Sequence, residues 1–273
     1  MKTLIKSRTQ LQKANRWDID FHLPAEGIAK FPKSLLKRVD QVASIAKDKR
    51  DPGRNPDVTF QYIDISSVDV AVGSIVNQQD VEGAEAPSRA RKVVRAFDLI
   101  ISTCRPTRGA VAVVPVSLHN EIASTGFSVV RPNAGVNPYY LQYALRLPST
   151  LEQFRKWSTG SSYPAILDED VAKTMIPVPS PEEQDRIAGL VVNALRAREN
   201  DIRLANRAWA HTLAEITAGL AGLPGAAAPE ELEGEGVVDA SSHTVAAIEE
   251  VLRGLPPLTT DRSSGEQLSV ADL

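Results

Sequence analysis

The sequence predicts an α+β fold, in which a curved mixed or antiparallel sheet with short helices is followed by one long α-helix. Two patterns lead to this prediction. Between residues 58 and 132, β-branched runs alternate with Gly, Pro, Asn and Asp, which is typical of strands joined by turns. From residue 181 to 221, apolar residues recur at helical spacing with no proline after the first position, which is typical of one long helix.

The first part of the chain predicts one helix and one loop. Residues 1–30 are polar and only weakly periodic. Apolar residues then recur at helical spacing and predict a short amphipathic helix over 33–46: Leu35, Leu36, Val39, Val42, Ala43 and Ala46. The segment 47–57 carries two prolines and a glycine among its charges and is expected to be a loop.

Five β-branched runs predict the strands of the sheet. They are VTFQYIDI (58–65), VAVGSIV (70–76), FDLIIST (97–103), AVAVVPV (110–116) and FSVVRP (127–132). Two short helices should follow the last strand. Asn137 can cap the first, with Pro138 in its first turn, and LEQFRKW (151–157) predicts the second.

The long helix has the clearest start signal in the sequence. Ser180, Pro181 and Glu183 form a capping box with proline at the first helical position. A helix of about 40 residues spans about 60 Å, which is too long to be buried on one small domain, so we expect a partner helix along its near-heptad stripe. Arg198 interrupts this stripe of Ile187, Val191, Ala194, Ile202, Ala205, Trp209, Leu213, Ile216 and Leu220.

Charge is distributed unevenly along the 273 residues, although the net charge is only −3. Residues 1–180 hold 24 Lys and Arg against 18 Asp and Glu, whereas residues 223–273 hold 2 against 10. A basic body favours nucleic-acid binding, the alternative being an ordinary charged surface. The acidic tail is rich in Gly, Ala, Pro and Glu, so we expect it to be largely flexible and dispensable for folding, with a short helix near 243–252.

Several classes of protein are excluded by composition. The sequence has no apolar run long enough to span a bilayer, and its first residues lack the apolar core of a secretory signal. The single Cys104 excludes an internal disulfide framework and a multi-cysteine zinc site. We therefore expect a cytoplasmic protein.

No convincing catalytic or metal site is present in the sequence. The four histidines are scattered, and no P-loop, dinucleotide-binding or nucleophile-elbow motif occurs. The run from Asn137 to Tyr140 is similar to the Asn-Pro-Pro-Tyr motif of adenine methyltransferases, but we interpret it as a helix start. The acidic run from Asp168 to Asp170, followed by Lys173, is interpreted as a surface turn before a strand at Val171 rather than as a nuclease metal site.

Eight segments in order resemble one family, the specificity (S) subunits of type I restriction-modification systems. They are RWD (16–18), LKRVDQVASI (36–45), YIDISSVD (62–69), APSRAR (86–91), DLIISTCRP (98–106), ASTGF (123–127), GSSYPAI (160–166) and IPVPSPEEQDRI (176–187). The resemblance covers roughly residues 16–220. It implies a non-catalytic recognition chain that binds double-stranded DNA and a DNA N6-adenine methyltransferase (M) subunit, and through it an endonuclease (R) subunit.

The resemblance also implies a domain organisation. Full-length members carry two recognition domains, each followed by a spacer helix, so this chain looks like a half-length form that pairs with itself or with a second S chain. We expect an N-terminal segment (1–30), a target-recognition domain (31–180), a spacer and dimerisation helix (181–222) and the acidic tail (223–273). This chain should bind no cofactor, since S-adenosylmethionine is expected on the methyltransferase.

The candidate DNA-binding residues are cations and hydroxyls in predicted loops. Guanidinium and ammonium groups suit phosphates, and arginine also suits guanine edges. The candidates are Arg89, Arg91, Lys92, Arg105, Arg108, Ser158, Ser161 and Tyr163. Two other functions stay open at this point: a stand-alone DNA-binding regulator or scaffold fragment, and a divergent DNA methyltransferase or nuclease.

Overall fold

The computed structural model describes residues 5–23, 25–160, 162–222 and 243–261. The helices are α1 (Arg8–Ala14), α2 (Ile19–His22), α3 (Pro138–Arg146), α4 (Pro148–Trp157), α5 (Asp168–Ala172), α6 (Pro181–Leu220) and α7 (Val245–Gly254). The strands are β1 (Leu36–Arg38), β2 (Ala43–Ile45), β3 (Thr59–Ile63), β4 (Val68–Asp69), β5 (Ser74–Ile75), β6 (Gln79–Glu82), β7 (Ala90–Val93), β8 (Leu99–Ser102), β9 (Val111–Val113), β10 (Ile122–Ser124), β11 (Phe127–Pro132) and β12 (Met175–Pro177). This arrangement confirms the α+β prediction.

Two four-stranded sheets form the centre of the domain. The first has the order β6-β3-β10-β7 and contains one parallel pair, β3 with β10. The second has the order β2-β11-β8-β9 and is antiparallel throughout. Two further antiparallel pairs, β1 with β12 and β4 with β5, lie outside these sheets.

Both faces of the second sheet are buried, which explains its continuous apolar runs. Strand β8 shows the alternation: Leu99 and Ile101 face one core, and Ile100 faces the other. The first core lies between the sheet and the helices and includes residues of α3, α4, α6 and α7. The second core lies between the two sheets and includes Ile63 and Phe127. The domain is therefore layered as helices, sheet and sheet.

The sequence-based prediction of a helix over 33–46 is wrong. This segment forms β1 and β2, with a 3₁₀ turn at Val39–Gln41 between them. Val39 and Ala43 are buried, as the pattern requires, but their partners are strands far along the chain, because β1 pairs with β12 and β2 pairs with β11. Spacing over so few residues does not distinguish a helix from two short strands whose pairing is non-local.

Two other local predictions differ from the structure. Of the run predicted as a strand over 70–76, residues 70–73 form a turn between β4 and β5, in which Gly73 has a φ of +78°, and only Ser74–Ile75 are a strand. A Cβ at Gly73 would lie 2.4 Å from the carbonyl oxygen of Val111, so only glycine fits there. The strand predicted at Val171 is wrong as well, since that residue lies in α5 and the strand that follows is β12.

The long helix α6 begins as predicted, with one difference at its cap. The hydroxyl oxygen of Ser180 accepts a hydrogen bond from the backbone N–H of Glu183 at 3.4 Å. The Glu183 carboxylate does not return to Ser180 but accepts two hydrogen bonds from Arg186 at 2.7 Å. The first turns of α6 pack on the domain through Gln184, Ala188 and Val192, which are buried.

Residues 243–261, called the C-terminal strap below, pack against the domain. Ile248 of α7 is buried in the first core, and after α7 the carbonyl oxygen of Pro256 contacts His119 Nε2 at 2.8 Å. At its end, the backbone N–H of Asp261 donates to the carbonyl oxygen of Lys49 at 3.0 Å. The short helix predicted near 243–252 is present as α7, and this stretch is packed on the domain rather than flexible. The other tail residues, 223–242 and 262–273, lie outside the described residues.

Within the described residues, no helix combines the length and the apolar character that crossing a membrane requires.

Candidate nucleic-acid interface

Two loops that are distant in sequence are joined by backbone hydrogen bonds at one end of the domain. The loop after β8 meets residues 158–166 through Arg105 N–H, which donates to the Pro164 carbonyl oxygen at 2.7 Å. The Ile166 N–H donates back to Thr103 at 3.0 Å. The second loop is closed on itself, since Thr159 and Ala165 exchange hydrogen bonds at 2.8 and 2.9 Å. The two loops therefore form one unit.

Two more loops adjoin this unit. The Thr103 N–H donates to the Gly126 carbonyl oxygen at 2.9 Å, and Thr125 N–H donates to the Arg89 carbonyl oxygen at 2.8 Å. The turn at 124–126 thus links the loop of Arg105 with the loop of Arg89. The loop surface, as named here, comprises residues 86–91, 102–109, 124–126, 158–160 and 162–166. It unites four of the eight segments that carry the family resemblance.

Arg105 and Tyr163 form a pair on the loop surface. The Arg105 guanidinium lies 4.7 Å from the centre of the Tyr163 ring, and Tyr163 is 69% exposed. Arg105 has a φ of +49°, in the left-handed region, which costs a non-glycine residue about 1–2 kcal/mol. Such strain is concentrated at functional positions, because only a well-determined environment holds it. An exposed aromatic ring beside a guanidinium suits stacking and hydrogen bonding to bases.

A cleft of about 580 Å³ lies beside this pair, and its walls come from three parts of the chain. Arg16 fixes the N-terminal wall, since it donates two hydrogen bonds to Asp18, at 2.6 and 2.9 Å, and a third to the Ser158 carbonyl oxygen at 2.7 Å. Hydrogen bonding to Asp18 raises the pKa of Arg16, and hydrogen bonding from Arg16 lowers the pKa of Asp18. Thr107, Arg155, Thr159, Gly160 and Pro164 line the rest of the cleft.

Two of the predicted cations are exposed on the loop surface. The side chains of Arg89 and Arg108 have no hydrogen-bonding or ionic partner within the described part of the chain. Arg108 ends the 3₁₀ turn Pro106–Arg108, and Gly109 then closes the loop with a φ of +73°. Exposed guanidinium groups of this kind are available to phosphate oxygens.

Two other predicted cations are engaged within the domain. Lys92 Nζ donates to the Phe127 carbonyl oxygen at 2.6 Å and lies 3.7 Å from Asp168, and its side chain is only 14% exposed. Arg91 lies 3.4 Å from Asp51 and donates to the carbonyl oxygen of Ala90. Cation density in the sequence did not distinguish these engaged side chains in β7 from the exposed Arg89.

The hydroxyl-rich loop has a different role at each position. The Ser158 hydroxyl donates to the Phe154 carbonyl oxygen at 2.8 Å, so it completes the end of α4. Ser161 lies outside the described residues. Thr159 and Thr107, which the sequence analysis did not select, line the cleft instead. Arg16 was also missed as a site residue, although it stands in a segment that carries the resemblance.

The Asn137 motif is a helix start, as predicted. Asn137 is fully buried, and its side-chain oxygen accepts hydrogen bonds from the N–H groups of Tyr139 and Tyr140. Its amide nitrogen donates to Asp185 of α6 and to the carbonyl oxygen of His243, both at 2.7 Å. Every polar group of this side chain is engaged in joining α3, α6 and α7, so no group is left to hold a flipped base.

The acidic run at the start of α5 is structural as well. Asp170 accepts a hydrogen bond from the Leu167 N–H at 2.8 Å and pairs with Lys173. Among the described residues, no cluster of three or more His, Cys, Asp or Glu side chains could hold a metal ion.

The second half of α6 exposes most of the predicted stripe. Within the first half, Ile187 and Val191 are half-buried on the domain and Ala194 is exposed. Beyond residue 200 the stripe faces solvent: Ile202, Ala205, Trp209, Leu213, Ile216 and Leu220. Trp209 is 63% exposed and Leu220 is 86% exposed. An exposed apolar face of this length is typical of an interaction surface.

The sequence profile described as "Type I restriction modification DNA specificity domain" matches residues 87–199. Residues 87–199 of this chain are therefore similar to a type I restriction-modification DNA specificity domain. The matched residues include Arg89, the Arg105–Tyr163 pair, Arg108 and the first half of α6. The family resemblance of the sequence is thereby confirmed.

Solved structures and curated proteins of the specificity family resemble this chain. The crystal structure of an HsdS subunit from Thermoanaerobacter tengcongensis superposes with a TM-score of 0.52 at 37% identity, covering 71% of this chain and 51% of that one. A structure concerned with assembly and conformational transition of the type I R-M system gives a TM-score of 0.53 at 38% identity, with the same coverage. The HindI specificity subunit of Haemophilus influenzae is 28% identical over 139 residues, which are 50% of this chain and 29% of that protein.

The MjaIX specificity subunit of Methanocaldococcus jannaschii is 34% identical over 82 residues, or 30% of this chain and 19% of that protein. This chain therefore spans about half the length of the solved structures and less than a third of the curated relatives that it matches.

Proposed function

We propose that this chain is a half-length specificity subunit that recognises a particular double-stranded DNA sequence. It positions a DNA N6-adenine methyltransferase subunit, and through it an endonuclease subunit, on that sequence in a cytoplasmic complex. The methyltransferase supplies S-adenosylmethionine and flips the target base. The chain described here contributes binding free energy and register but no catalytic residue.

The observation that carries this proposal is the convergence of four loops into one surface. The loop surface collects Arg89, Arg105, Arg108 and Tyr163 from separate parts of the chain and holds them by backbone hydrogen bonds. A surface fixed in this way presents its side chains with little loss of entropy on binding. Arg89 and Arg108 suit phosphate contacts, whereas the strained Arg105 beside Tyr163 suits contact with base edges.

A second part of the proposal concerns α6. The exposed stripe from Ile202 to Leu220 pairs with the same stripe of a second specificity chain in antiparallel orientation. A twofold pair built in this way would hold two loop surfaces apart and read an inverted repeat. The helix length would set the separation of the two half-sites.

The first test measures DNA affinity by fluorescence anisotropy at several salt concentrations. Each phosphate contact contributes about −0.9 to the slope of log K against log salt. Replacing Arg108 with Ala should therefore weaken binding at low salt and reduce the slope by about 0.9. Arg89→Ala should behave in the same way.

The matched control is Arg253→Ala, which removes the same charge from an exposed position on α7. Among the described residues, its guanidinium donates a hydrogen bond to the Glu249 carbonyl oxygen of the same helix, so affinity and slope should stay close to those of the unmodified chain. Equal losses at Arg108 and Arg253 would mean that binding reports net charge alone, and the loop surface would lose its assigned role.

A separate test addresses catalysis. The purified chain is incubated with duplex DNA and radiolabelled S-adenosylmethionine, with and without the methyltransferase subunit. We expect methyl transfer only when that subunit is present. Transfer by the chain alone would contradict a non-catalytic recognition role and favour a divergent methyltransferase.

A further inference from the structure

We propose that two copies of this chain exchange their C-terminal straps, so that residues 243–261 of each copy dock on the domain of its partner. The inference rests on the antiparallel pairing of α6 in the proposed function. It follows from where the strap docks, where α6 ends and how many residues connect the two.

The strap docks at the beginning of α6. The Val245 N–H donates to Asp185 at 3.0 Å, and the His243 carbonyl oxygen accepts from Asn137 at 2.7 Å. A Cβ at Gly189 would lie 3.5 Å from the His243 ring. The start of the strap therefore lies beside residues 185–189 of α6.

The helix carries the chain away from this docking place. Gly222 follows the last turn of α6, about 35 residues beyond the docking place, and at 1.5 Å per residue this separation is about 50 Å. The sequence supplies 20 residues between Gly222 and His243. A random coil of that length has a root-mean-square end-to-end distance of about 25 Å and a fully extended reach of about 70 Å. Docking of the strap on its own domain is within the reach of 20 residues, but the distance is about twice the root-mean-square length of a coil with that number of residues.

Exchange between two copies removes this stretch. If the helices pair antiparallel about the centre of their exposed face, near residue 211, then Gly222 of one copy lies opposite residue 200 of the other. The distance to the partner's docking place is then about 20 Å along the helix, with about 10 Å between the axes. A linker gives the tethered segment its highest effective concentration when the root-mean-square length of the linker matches the distance to be spanned. The 20 connecting residues match the exchanged arrangement.

The exchange keeps every contact of the strap. The same groups meet in both arrangements, because the two copies are identical and only the chain of origin changes. The strap contacts with Asn137, Asp185, His119 and Lys49 are then formed between partners. In the exchanged arrangement, the first core of each copy is completed by Ile248 from the strap of the other copy.

The test uses two single-cysteine variants in a Cys104→Ser background. One carries Gly189→Cys, and the other carries His243→Cys. Neither change removes a described hydrogen bond, since His243 contributes its backbone oxygen and the Gly189 position accepts a Cβ at ordinary contact distance. The two variants are unfolded together, refolded as a mixture and mildly oxidised. A non-reducing gel then shows whether a 189–243 disulfide joins two chains.

We expect a covalent dimer from the mixture and much less from either variant alone. Absence of that dimer, in a chain that is still dimeric by analytical ultracentrifugation, would overturn the exchange and leave α6 pairing intact. A monomeric chain would instead contradict the pairing in the proposed function. Arg54→Cys and Asp261→Cys, whose native side chains approach to 3.6 Å, repeat the test at the far end of the strap with a short bismaleimide.

A deletion gives an independent readout. Removing residues 226–235 leaves 11 peptide steps between Gly222 and His243, which reach at most about 40 Å. Such a connection cannot span about 50 Å within one chain but still spans the exchanged arrangement. We expect a melting temperature close to that of a control in which Gly and Ser replace the same ten residues. A fall to the melting temperature of a chain that lacks the strap would overturn the exchange.

Discussion

Arg105 combines a strained backbone with a half-buried side chain. Its backbone lies in the left-handed region, although it is not glycine, and its N–H is fixed by the Pro164 carbonyl oxygen. The guanidinium rests on the exposed ring of Tyr163 instead of pairing with a carboxylate. Glycine would adopt this conformation without strain, so the arginine side chain is retained at a cost in stability. Its position on the loop surface is consistent with a role in DNA recognition.

Substitutions at Arg105 separate stability from binding. Arg105→Gly relieves the left-handed strain and Arg105→Ala keeps it, so the glycine variant should unfold with a free energy about 1 kcal/mol higher than the alanine variant. Both variants lose the guanidinium and should lose DNA affinity equally, by about tenfold for one charge-assisted contact worth about 1–3 kcal/mol. Urea unfolding measures the difference in stability, and fluorescence anisotropy measures the loss of DNA affinity. A glycine variant that keeps native affinity would remove Arg105 from the interface.

Asp98 and Arg131 form the most buried ion pair among the described residues. Arg131 donates to both oxygens of Asp98, at 2.9 and 2.8 Å, and also to Asp48 at 2.9 Å. Burial raises the pKa of the Asp98 carboxyl more than its pairing with Arg131 lowers it. The pair fastens the turn before β8 to β11, at the end of these two strands that is opposite to the loop surface.

Removing one partner of this pair should be strongly destabilising. Arg131→Met leaves Asp98 buried without its guanidinium, which typically costs about 3–5 kcal/mol. The loss should grow as pH rises above the raised pKa of Asp98 in the unmodified chain, because removal of Arg131 raises that pKa further and makes ionisation in the folded state more costly. Urea unfolding at pH 5 and pH 7.5 measures this, with Asp98→Asn/Arg131→Met as the control. A double variant no more stable than Arg131→Met, or a loss that is independent of pH, would contradict the assignment.

At the scale of elements, α7 completes the first core. Ile248 is 4% exposed and packs into that core, whereas Glu250 on the same helix is exposed. Ile248→Ala should lower the free energy of unfolding by about 2–5 kcal/mol, as expected for a buried aliphatic residue. Glu250→Ala should change it by less than about 0.5 kcal/mol, as for other surface substitutions. Equal values for the two variants, measured by urea unfolding, would show that α7 is not packed in solution.

The sequence was sufficient for elements whose signals are local. The caps at Asn137 and Ser180, and the length of α6, follow from neighbouring residues, and the structure confirms them. It was insufficient where partners are distant: β1 and β2 were mistaken for a helix because their pairing with β12 and β11 leaves no local trace. For the same reason, composition identified the acidic tail but not the docking of α7. The sequence selected Arg105, Arg108 and Tyr163, which share the loop surface and whose DNA contacts stay a prediction, whereas the engagement of Lys92 with Phe127 depends on the fold.

At the scale of the whole molecule, the exposed half of α6 should be a dimer interface. Trp209→Glu combined with Ile216→Glu places two charges on the apolar face and should convert a dimer into a monomer at micromolar concentration. Glu215→Gln, on the opposite side of the helix, should leave the dimer intact. Analytical ultracentrifugation distinguishes the outcomes. A native chain that is already monomeric would contradict the pairing.

The central claim is that this chain reads a DNA sequence, and selection from a pool of randomised duplexes tests it most directly. The full chain is incubated with the pool, bound DNA is recovered, and several rounds are sequenced in parallel with the Arg105→Ala variant. We predict enrichment of one motif made of two inverted half-sites at fixed spacing, and loss of that enrichment in the variant. Recovery of DNA without an enriched motif, or the same motif with both proteins, would contradict the assignment of sequence recognition to the loop surface.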